Sequence, residues 1–273
     1  MRVFYIPIFM IFSLVAFGQS EAAKVKFDLV LERVDAFSSN DRIEDIYVNE
    51  DMLWFGGKEG VSSFNNSSST VAKVLSEENA VAVKVSRQGD VYSAFKNNKI
   101  YHNDALFYHI QQPGIIINDI EIFRGKLWVA TNDGLHVYGL RSGRQLQVYK
   151  TSNSKLKSDQ INFVKHFKTL DNLWIGTASG VNEMYDSDKW RKTDFTDESF
   201  IAVTESIDGL WLLSDKELHL VYEDYGKARF QPQGLKQGLF KGKVNDLALD
   251  MEDNLYVASD ILTRYNPYSD RLD

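Results

Sequence analysis

A short pattern that recurs along the chain constrains its fold more than any other feature. Its clearest copy extends from Leu127 to Tyr138 and has the composition of a strand, a tight turn and a second strand. The segment 127–130 is apolar and β-prone, and the Asn-Asp-Gly run at 132–134 contains residues that tolerate positive φ in hairpin turns. Apolar residues resume at Leu135. The pattern therefore predicts a β-hairpin.

The pattern occurs six times at nearly regular spacing. In each copy an aliphatic residue precedes one aromatic residue, the anchor of that copy: Trp54, Tyr92, Trp128, Trp174, Trp211 and Tyr256. Successive anchors are 36 to 46 residues apart. A period near forty with β-type patterning is typical of a β-propeller, in which each repeat forms one four-stranded blade. We therefore predict an all-β propeller of six four-stranded blades, with the anchors in its core.

The segments around each hairpin supply the other two strands of a blade. Apolar runs precede the hairpins, as at 43–48, 117–122 and 244–249, and are predicted to be the innermost strands. A looser segment such as 144–149 would form the fourth strand. The last repeat has no clear fourth strand, whereas residues 25–32 alternate as a strand outside the repeats. We expect this N-terminal strand to pair with the last blade and close the ring, which removes two exposed sheet edges. Without that pairing, the chain would be a fragment or an arc completed by another chain.

The first 18 residues differ from the rest of the chain. Arg2 is followed by an almost wholly apolar stretch from Val3 to Phe17, and Ala16 and Gly18 stand at positions −3 and −1 of a cleavage site. This composition predicts a secretory signal peptide at 1–18, because the apolar run is short for a membrane span of about 20 residues. Residues 19–273 would then form a single propeller domain without a membrane span.

The amino-acid composition limits the cellular location and the classes of partner that we expect for the protein. The chain has no cysteine, which excludes disulfides, thiolate catalysis and cysteine-bound zinc. Its net charge of −7 argues against nucleic acid as a partner. An exported chain without cysteine favours the periplasm or cell surface of a Gram-negative bacterium.

No motif in the sequence indicates catalysis, a cofactor or a metal. There is no nucleophile elbow, phosphate-binding loop or dinucleotide fingerprint. The acidic segments 186–188 and 250–254 lack the spacing of a calcium loop and are explained as turns. None of the histidines forms a metal-binding pair along the sequence: His102, His109, His136, His166 and His219. We therefore expect no enzymatic activity, no cofactor and no metal site, although a site assembled from distant loops leaves no local motif.

The predicted fold suggests where a ligand would bind. In a propeller, the turns between the second and third strands emerge on the same face as the connections between blades, and binding residues are often on such loops. These turns are polar and differ in every repeat. The candidate binding residues are Lys58, Glu59, Asn97, Asn132, Asp133, Ser179, Asp215 and Asp260. The same residues would also suit turns that are simply solvated.

The repeats resemble the two-component regulator propeller repeat. Residues 117–138 and 161–185 carry the resemblance best, through Asn-Asp-Ile, Leu-Trp-Val-Ala-Thr-Asn-Asp-Gly-Leu and Leu-Trp-Ile-Gly-Thr. It covers about 41–268, with weaker second and sixth repeats and with Glu217 in place of the turn glycine in the fifth.

The resemblance implies an exported sensor module. Propellers of this family are commonly periplasmic sensor regions of hybrid histidine kinases that often detect glycans, and related ones are accessory modules at the cell surface. This sequence shows no membrane helix or kinase domain after the propeller. We therefore expect a module that binds a glycan-like ligand or an envelope protein. Two alternatives stay open: a structural component of an envelope assembly, and a propeller lyase or hydrolase.

Overall fold

The computed structural model describes most of the chain as strands and turns. The described residues are 43–49, 52–65, 68, 70–186, 189–191, 193, 197–206, 208–215, 217–224, 227–234, 246–249, 254–258, 262–266 and 271–272. They contain no α-helix, and so no helical segment among them could cross a membrane. The chain forms two compact units, Met1–Ile120 and Glu121–Asp273.

The first unit contains two complete blades. Blade 1 consists of β1 (Ile43–Asn49), β2 (Met52–Gly57), β3 (Gly60–Asn65) and β4 (Thr70–Leu75). Blade 2 consists of β5 (Ala80–Val85), β6 (Val91–Phe95), β7 (Lys99–His102) and β8 (Ala105–His109). In both sheets the strands are antiparallel and adjacent in chain order.

The other four blades follow, and the boundary between the units falls inside β9. Blade 3 consists of β9 (Ile117–Phe123), β10 (Lys126–Thr131), β11 (Gly134–Gly139) and β12 (Gln145–Tyr149). Blade 4 consists of β13 (Ile161–Phe167), β14 (Asn172–Thr177), β15 (Gly180–Tyr185) and β16 (Lys189–Arg191). Blade 5 consists of β17 (Phe200–Glu205), β18 (Leu210–Ser214), β19 (Leu218–Asp224) and β20 (Lys227–Gly234). Blade 6 consists of β21 (Asp246–Leu249), β22 (Leu255–Ala258), β23 (Leu262–Asn266) and β24 (Arg271–Leu272). The predicted six-bladed, all-β propeller fold is confirmed.

The aromatic anchors are core residues, as predicted. All six lie on the second strand of their blade and are at most 9% exposed. In the second unit, Trp128 packs in one cluster with Leu156 of the connection that follows blade 3 and Val164 of blade 4. The four tryptophan anchors therefore bury large apolar surfaces against the blade that follows, and their repetition along the chain reflects packing.

The first strand of a blade packs against the first strand of the next blade within each unit, as β1 does against β5 and β13 against β17. Four of these strands contain a register shift near their start, at Glu44, Val81, Asn162 and Ile201. The extra residue of such a β-bulge turns away from the regular alternation. Asn162 uses this freedom to donate from Nδ2 to the carbonyl oxygen of Phe200 in the next blade, at 2.7 Å.

Small residues on the second strand allow large side chains to pack across it. Phe163 lies directly opposite Gly176 in the sheet. A Cβ atom at Gly176 would lie 2.2 Å from the ring of Phe163, so glycine is required for this ring position. The glycine of the Leu-Trp-Ile-Gly-Thr segment is therefore explained by packing against Phe163.

The tight turns between second and third strands are closed by a hydroxyl group. Thr131 Oγ1 donates to the carbonyl oxygen of Gly134 at 2.7 Å, and Thr177 makes the same bond to Gly180. Of the residues in the Asn-Asp-Gly turn, only Gly134 has a positive φ. A Cβ atom at Gly134 would lie 2.6 Å from the carbonyl oxygen of Tyr149, so its conformation and its surroundings both favour glycine.

Two details differ from the sequence prediction. Blade 6 has its own short fourth strand, β24, which pairs with Tyr265 and Asn266. Residues 231–243 are rich in glycine and lysine, which is typical of a connection between blades, but β20 continues to Gly234 and pairs with β19. The predicted signal peptide and N-terminal closing strand lie outside the described residues, so cleavage, ring closure and the single-domain organisation of 19–273 stay predictions.

Candidate functional site

The turns between second and third strands lie beside the connection that enters their own blade. The first amide after the second strand donates to the carbonyl oxygen just before the first strand: Lys96 to Asn79 at 3.0 Å, Ala178 to Gln160 at 3.0 Å, and Asp215 to Ser199 at 2.9 Å. The predicted arrangement, with these turns and the connections at the same end of a blade, is therefore present in blades 2, 4 and 5.

The structure places the candidate binding residues in these turns. Lys58 and Glu59 connect β2 to β3, Asn97 connects β6 to β7, and all three are exposed. Asn132 and Ser179 are exposed in the turns of blades 3 and 4, and Asp215 is exposed in blade 5. Asp133 is half-buried, and its Oδ1 lies 2.7 Å from Lys150 Nζ. Asp260 lies outside the described residues.

One of these turns forms part of a polar pocket in the first unit, which we call the blade 2 pocket. It has a volume of about 540 Å³ and is lined by Ser76, Glu77, Glu78, Asn79, Lys96 and Asn97. Lys58 is tied to its wall, because the Asn79 amide donates to the Lys58 carbonyl oxygen at 2.9 Å. Of the candidate residues, Asn97 therefore lines the pocket and Lys58 adjoins it.

The carboxylate of Glu77 organises one wall of the pocket. Glu77 Oε1 accepts hydrogen bonds from Asn97 Nδ2 at 2.6 Å and Lys99 Nζ at 3.2 Å. Its Oε2 accepts from the Tyr101 hydroxyl at 2.9 Å. The Tyr101 and Lys99 hydrogen bonds hold the pKa of Glu77 below its ordinary value, so the group stays ionised at neutral pH. The network fixes the Asn97 side chain.

A second charged pair borders the pocket. Lys96 Nζ lies 3.0 Å from Oε1 of Glu44, the bulged residue of the first strand in blade 1. The Lys96 side chain is 55% exposed, so its ammonium group stays accessible to a ligand. Together with the amide of Asn97, the pocket presents donors and acceptors suited to hydroxyl and amide groups.

Sequence reasoning found the turn but missed the opposite wall. Residues 76–79 are polar and directly precede β5, a composition that is typical of any connection between blades. The available signal was their position, because in a propeller this connection emerges beside the turn that contains Asn97.

A recurring polar position explains how the connections are held. The third strand of every blade has a polar or half-polar side chain opposite the residue that follows the anchor: Ser62, Tyr101, His136, Asn182, His219 and Thr263. Tyr101 binds Glu77, and Asn182 bonds the backbone of Lys155 and Lys157 at 2.8 and 3.1 Å. In blades 2 and 4 this side chain therefore fixes the connection that leads into its own blade.

His136 shows how burial at this position affects a titratable side chain. The imidazole is buried, and burial lowers its pKa below the ordinary value, so His136 is neutral at physiological pH. Its Nδ1 lies 3.5 Å from the Tyr138 hydroxyl. His219 occupies the same position in blade 5, opposite Leu212, as His136 does in blade 3, opposite Val129.

Solved structures with the same fold include two extracellular domains. The extracellular domain of BT4673 from B. thetaiotaomicron, described as a hybrid two-component system, matches with a TM-score of 0.66 and 15% identity, over 86% of this chain and 33% of that one. The extracellular domain of BT3049 from the same organism, described in the same way, matches with a TM-score of 0.66 and 17% identity, over 86% and 34%. This chain thus spans about a third of the length of these domains.

Other comparisons limit what the likeness means. The computationally designed Ika8 protein also matches, with a TM-score of 0.57 and 12% identity, over 80% of this chain and 68% of that one. No protein-family model matches the sequence, and none of the curated proteins does. The resemblance to the two-component regulator propeller repeat is confirmed at the level of the fold, whereas function has to be argued from the residues of the site.

Proposed function

We propose that this chain is an exported, non-enzymatic sensor-type propeller whose blade 2 pocket binds a polar small ligand, such as a glycan. The pocket itself is the observation that carries the proposal. Its volume of about 540 Å³ is in the range of small-molecule sites, roughly 300–1,000 Å³. It is lined by carboxylate, amide and ammonium groups on two loops anchored to strands.

The chemistry of the lining suits a ligand rich in hydroxyl groups. Such a ligand donates to carboxylates and accepts from amides and ammonium groups, and the pocket offers Glu78, Asn97 and Lys96 for these roles. Because Glu77 already holds Asn97 in place, little side-chain entropy is lost when a ligand binds.

The electrostatics favour binding over hydrolysis. A glycosidase of the usual kind needs a carboxylic acid whose pKa is raised, so that it can protonate the leaving group. The pKa of Glu77 is lowered, because the Tyr101 hydroxyl and the Lys99 ammonium stabilise its charged form. Glu77 is therefore suited to accept hydrogen bonds from a ligand.

The location belongs to the same proposal. The structural neighbours are extracellular domains of proteins described as two-component systems, and the apolar N-terminal stretch has the composition of a secretory signal. We place the chain in the periplasm or at the cell surface of a Gram-negative bacterium. Fractionation of the native host, with a blot against this chain, tests the location independently of any ligand.

The test of binding combines a glycan array with calorimetry on the purified chain. A glycan identified on the array should bind Asn97→Ala and Lys96→Ala at least about tenfold more weakly, a difference of about 1.4 kcal/mol. Gln88→Ala is the matched control, because Gln88 is exposed in the turn at the other end of the same blade. Equal binding by all variants, or binding of no glycan, would contradict the proposal.

A second candidate is binding of an envelope protein. Leu106 and Ile116 in the first unit are 56% and 54% exposed and offer apolar surface to a protein partner. Binding through them would be weakened in Leu106→Ser and Ile116→Ser but not in Asn97→Ala. Calorimetry with a defined envelope protein separates the two candidates.

A further inference from the structure

Three potential metal ligands meet at one end of blade 5. Glu198 lies in the connection just before β17, Glu217 ends the turn between β18 and β19, and His219 is the second residue of β19. His219 Nε2 lies 3.1 Å from Glu198 Oε2 and 3.9 Å from Glu217 Oε1. The three ligand atoms all lie within 4.8 Å of one another. They are therefore close enough to share one ion.

The backbone that carries these ligands is well fixed. Ser199 donates its amide to Asp215 Oδ1 at 2.8 Å and accepts from the Asp215 amide at 2.9 Å, so the segment with Glu198 is bound to the turn. The amide of Glu217 donates to Ser214 Oγ at 2.9 Å. The connection that carries Glu198 and the turn that carries Glu217 are thus bonded to each other before any ion binds.

The histidine is held even more firmly. The His219 side chain is fully buried, and its ring centroid lies 5.4 Å from that of Phe200. In the sheet it stands opposite Leu212, so its Nε2 points at a fixed place relative to the turn. A ligand with so little freedom loses little entropy when it coordinates an ion.

Blade 2 has the same geometry with a different charge balance. There, Tyr101 occupies the strand position of His219, and Glu77 in the preceding connection takes the place of Glu198. Two residues before Tyr101 stands Lys99, whose ammonium group neutralises Glu77 at 3.2 Å. Two residues before His219 stands Glu217, so in blade 5 the neutralising cation is replaced by a second carboxylate.

We propose that Glu198, Glu217 and His219 bind a divalent transition-metal ion, with Zn²⁺ as the representative ion. The ion would supply the positive charge that Lys99 supplies in blade 2. One imidazole nitrogen and two carboxylate oxygens form a ligand set typical of zinc, whereas magnesium and calcium prefer oxygen alone. Three protein ligands leave at least one coordination position open, toward the side where Glu217 is 31% exposed.

No local sequence motif marks this site. Glu217 and His219 are two residues apart, but Glu198 belongs to the connection that precedes the blade. The three residues meet only because the connection and the turn lie at the same end of the sheet. The site is independent of the blade 2 pocket.

Calorimetric titration of the chelator-treated chain with ZnCl₂ tests the proposal, with Co²⁺ absorption as a second readout of coordination. We expect one ion per chain, and Glu198→Gln and Glu217→Gln should weaken binding by more than about tenfold, since second-shell partners alone contribute about 10–100-fold. Glu217→Lys reproduces the charge arrangement of blade 2 and should abolish binding while the chain stays folded.

The matched control is His166→Asn, which removes a different imidazole from the second unit. His166 is paired with Asp171 at 3.0 Å and belongs to another blade, so this variant should bind zinc like the unmodified chain. Circular dichroism of each variant separates loss of ligands from loss of fold. Absence of zinc binding by the unmodified chain, or unchanged binding by folded Glu198→Gln and Glu217→Lys, would overturn the proposal.

Discussion

Blades 2 and 5 share one arrangement around a glutamate of the preceding connection and differ in the charge that lies beside it. In each, a third-strand side chain bonds a glutamate of the preceding connection, Tyr101 to Glu77 at 2.9 Å and His219 to Glu198 at 3.1 Å. The neighbouring position is Lys99 in blade 2 and Glu217 in blade 5. In blade 2 the chain places a cation beside the glutamate, whereas in blade 5 the same position holds a second carboxylate, so a repeat can keep its fold while the charge at this position is reversed.

The largest effect is expected where a side chain of the third strand bonds the backbone of the connection directly. In blade 4 the equivalent residue, Asn182, bonds two backbone groups of the connection, the Lys157 amide and the Lys155 carbonyl. Asn182→Leu keeps the side-chain volume and leaves both groups without these bonds, so it should lower the free energy of unfolding by about 2–4 kcal/mol. Urea denaturation measures the change, and a loss below about 0.5 kcal/mol would show that the third strand does not hold the connection.

A smaller effect is expected when the charge of blade 2 is made like that of blade 5. Lys99→Glu places a second carboxylate beside Glu77, and the pair is partly exposed, with side chains 32% and 26% accessible. We expect a loss of stability at low salt that shrinks as NaCl is raised, because screening weakens the repulsion. Lys99→Met is the control, since it removes the cation without adding an anion. A loss independent of salt would mean that packing, not charge, distinguishes the two blades.

The smallest effect concerns pH. The pKa of Glu77 in the folded chain lies below its ordinary value of 4.5, because Tyr101 and Lys99 stabilise the ionised form. The unfolded chain therefore binds this proton more tightly, and the stabilising contribution is fully present above about pH 4.5 and is lost as the pH falls through the folded-state pKa.

We expect the difference in stability between the unmodified chain and Glu77→Gln to be less than about 1 kcal/mol at pH 7 and to shrink on acidification. Thermal unfolding between pH 7 and pH 3 measures it. A difference that grows as the pH falls would contradict the direction of the pKa shift.

Most of the fold was predictable because the repeat encodes its own packing. An aromatic anchor such as Trp174 and a small residue such as Gly176 recur at fixed places, and each marks a strand that must bury one surface. Strand segments that contain no such anchor or small residue were not recognised from the sequence. The strand Arg271–Leu272 is too short to show an alternation of apolar and polar residues. The end of β20 contains Pro232, which is tolerated in an edge strand but usually indicates the end of a strand in a sequence.

The candidate site was predictable only in part, for a related reason. The position of Asn97 follows from the hairpin, which is local in sequence. The partners of Glu77 and of Glu198 are set by the register between a connection and a third strand, and this register exists only after the blade has folded. Residues that act together across a sheet leave no spacing that a single sequence can reveal.

The bulge in the first strand has a consequence for how these repeats can change. An additional residue such as Asn162 reverses the phase of the strand, so that side chains before and after it alternate in opposite senses. The strand can thereby direct one polar side chain to the neighbouring blade, while its other residues keep the alternation that places apolar side chains in the core. Deleting that single residue would realign Ile161 as well, so these strands are expected to accept substitutions far more readily than changes in length.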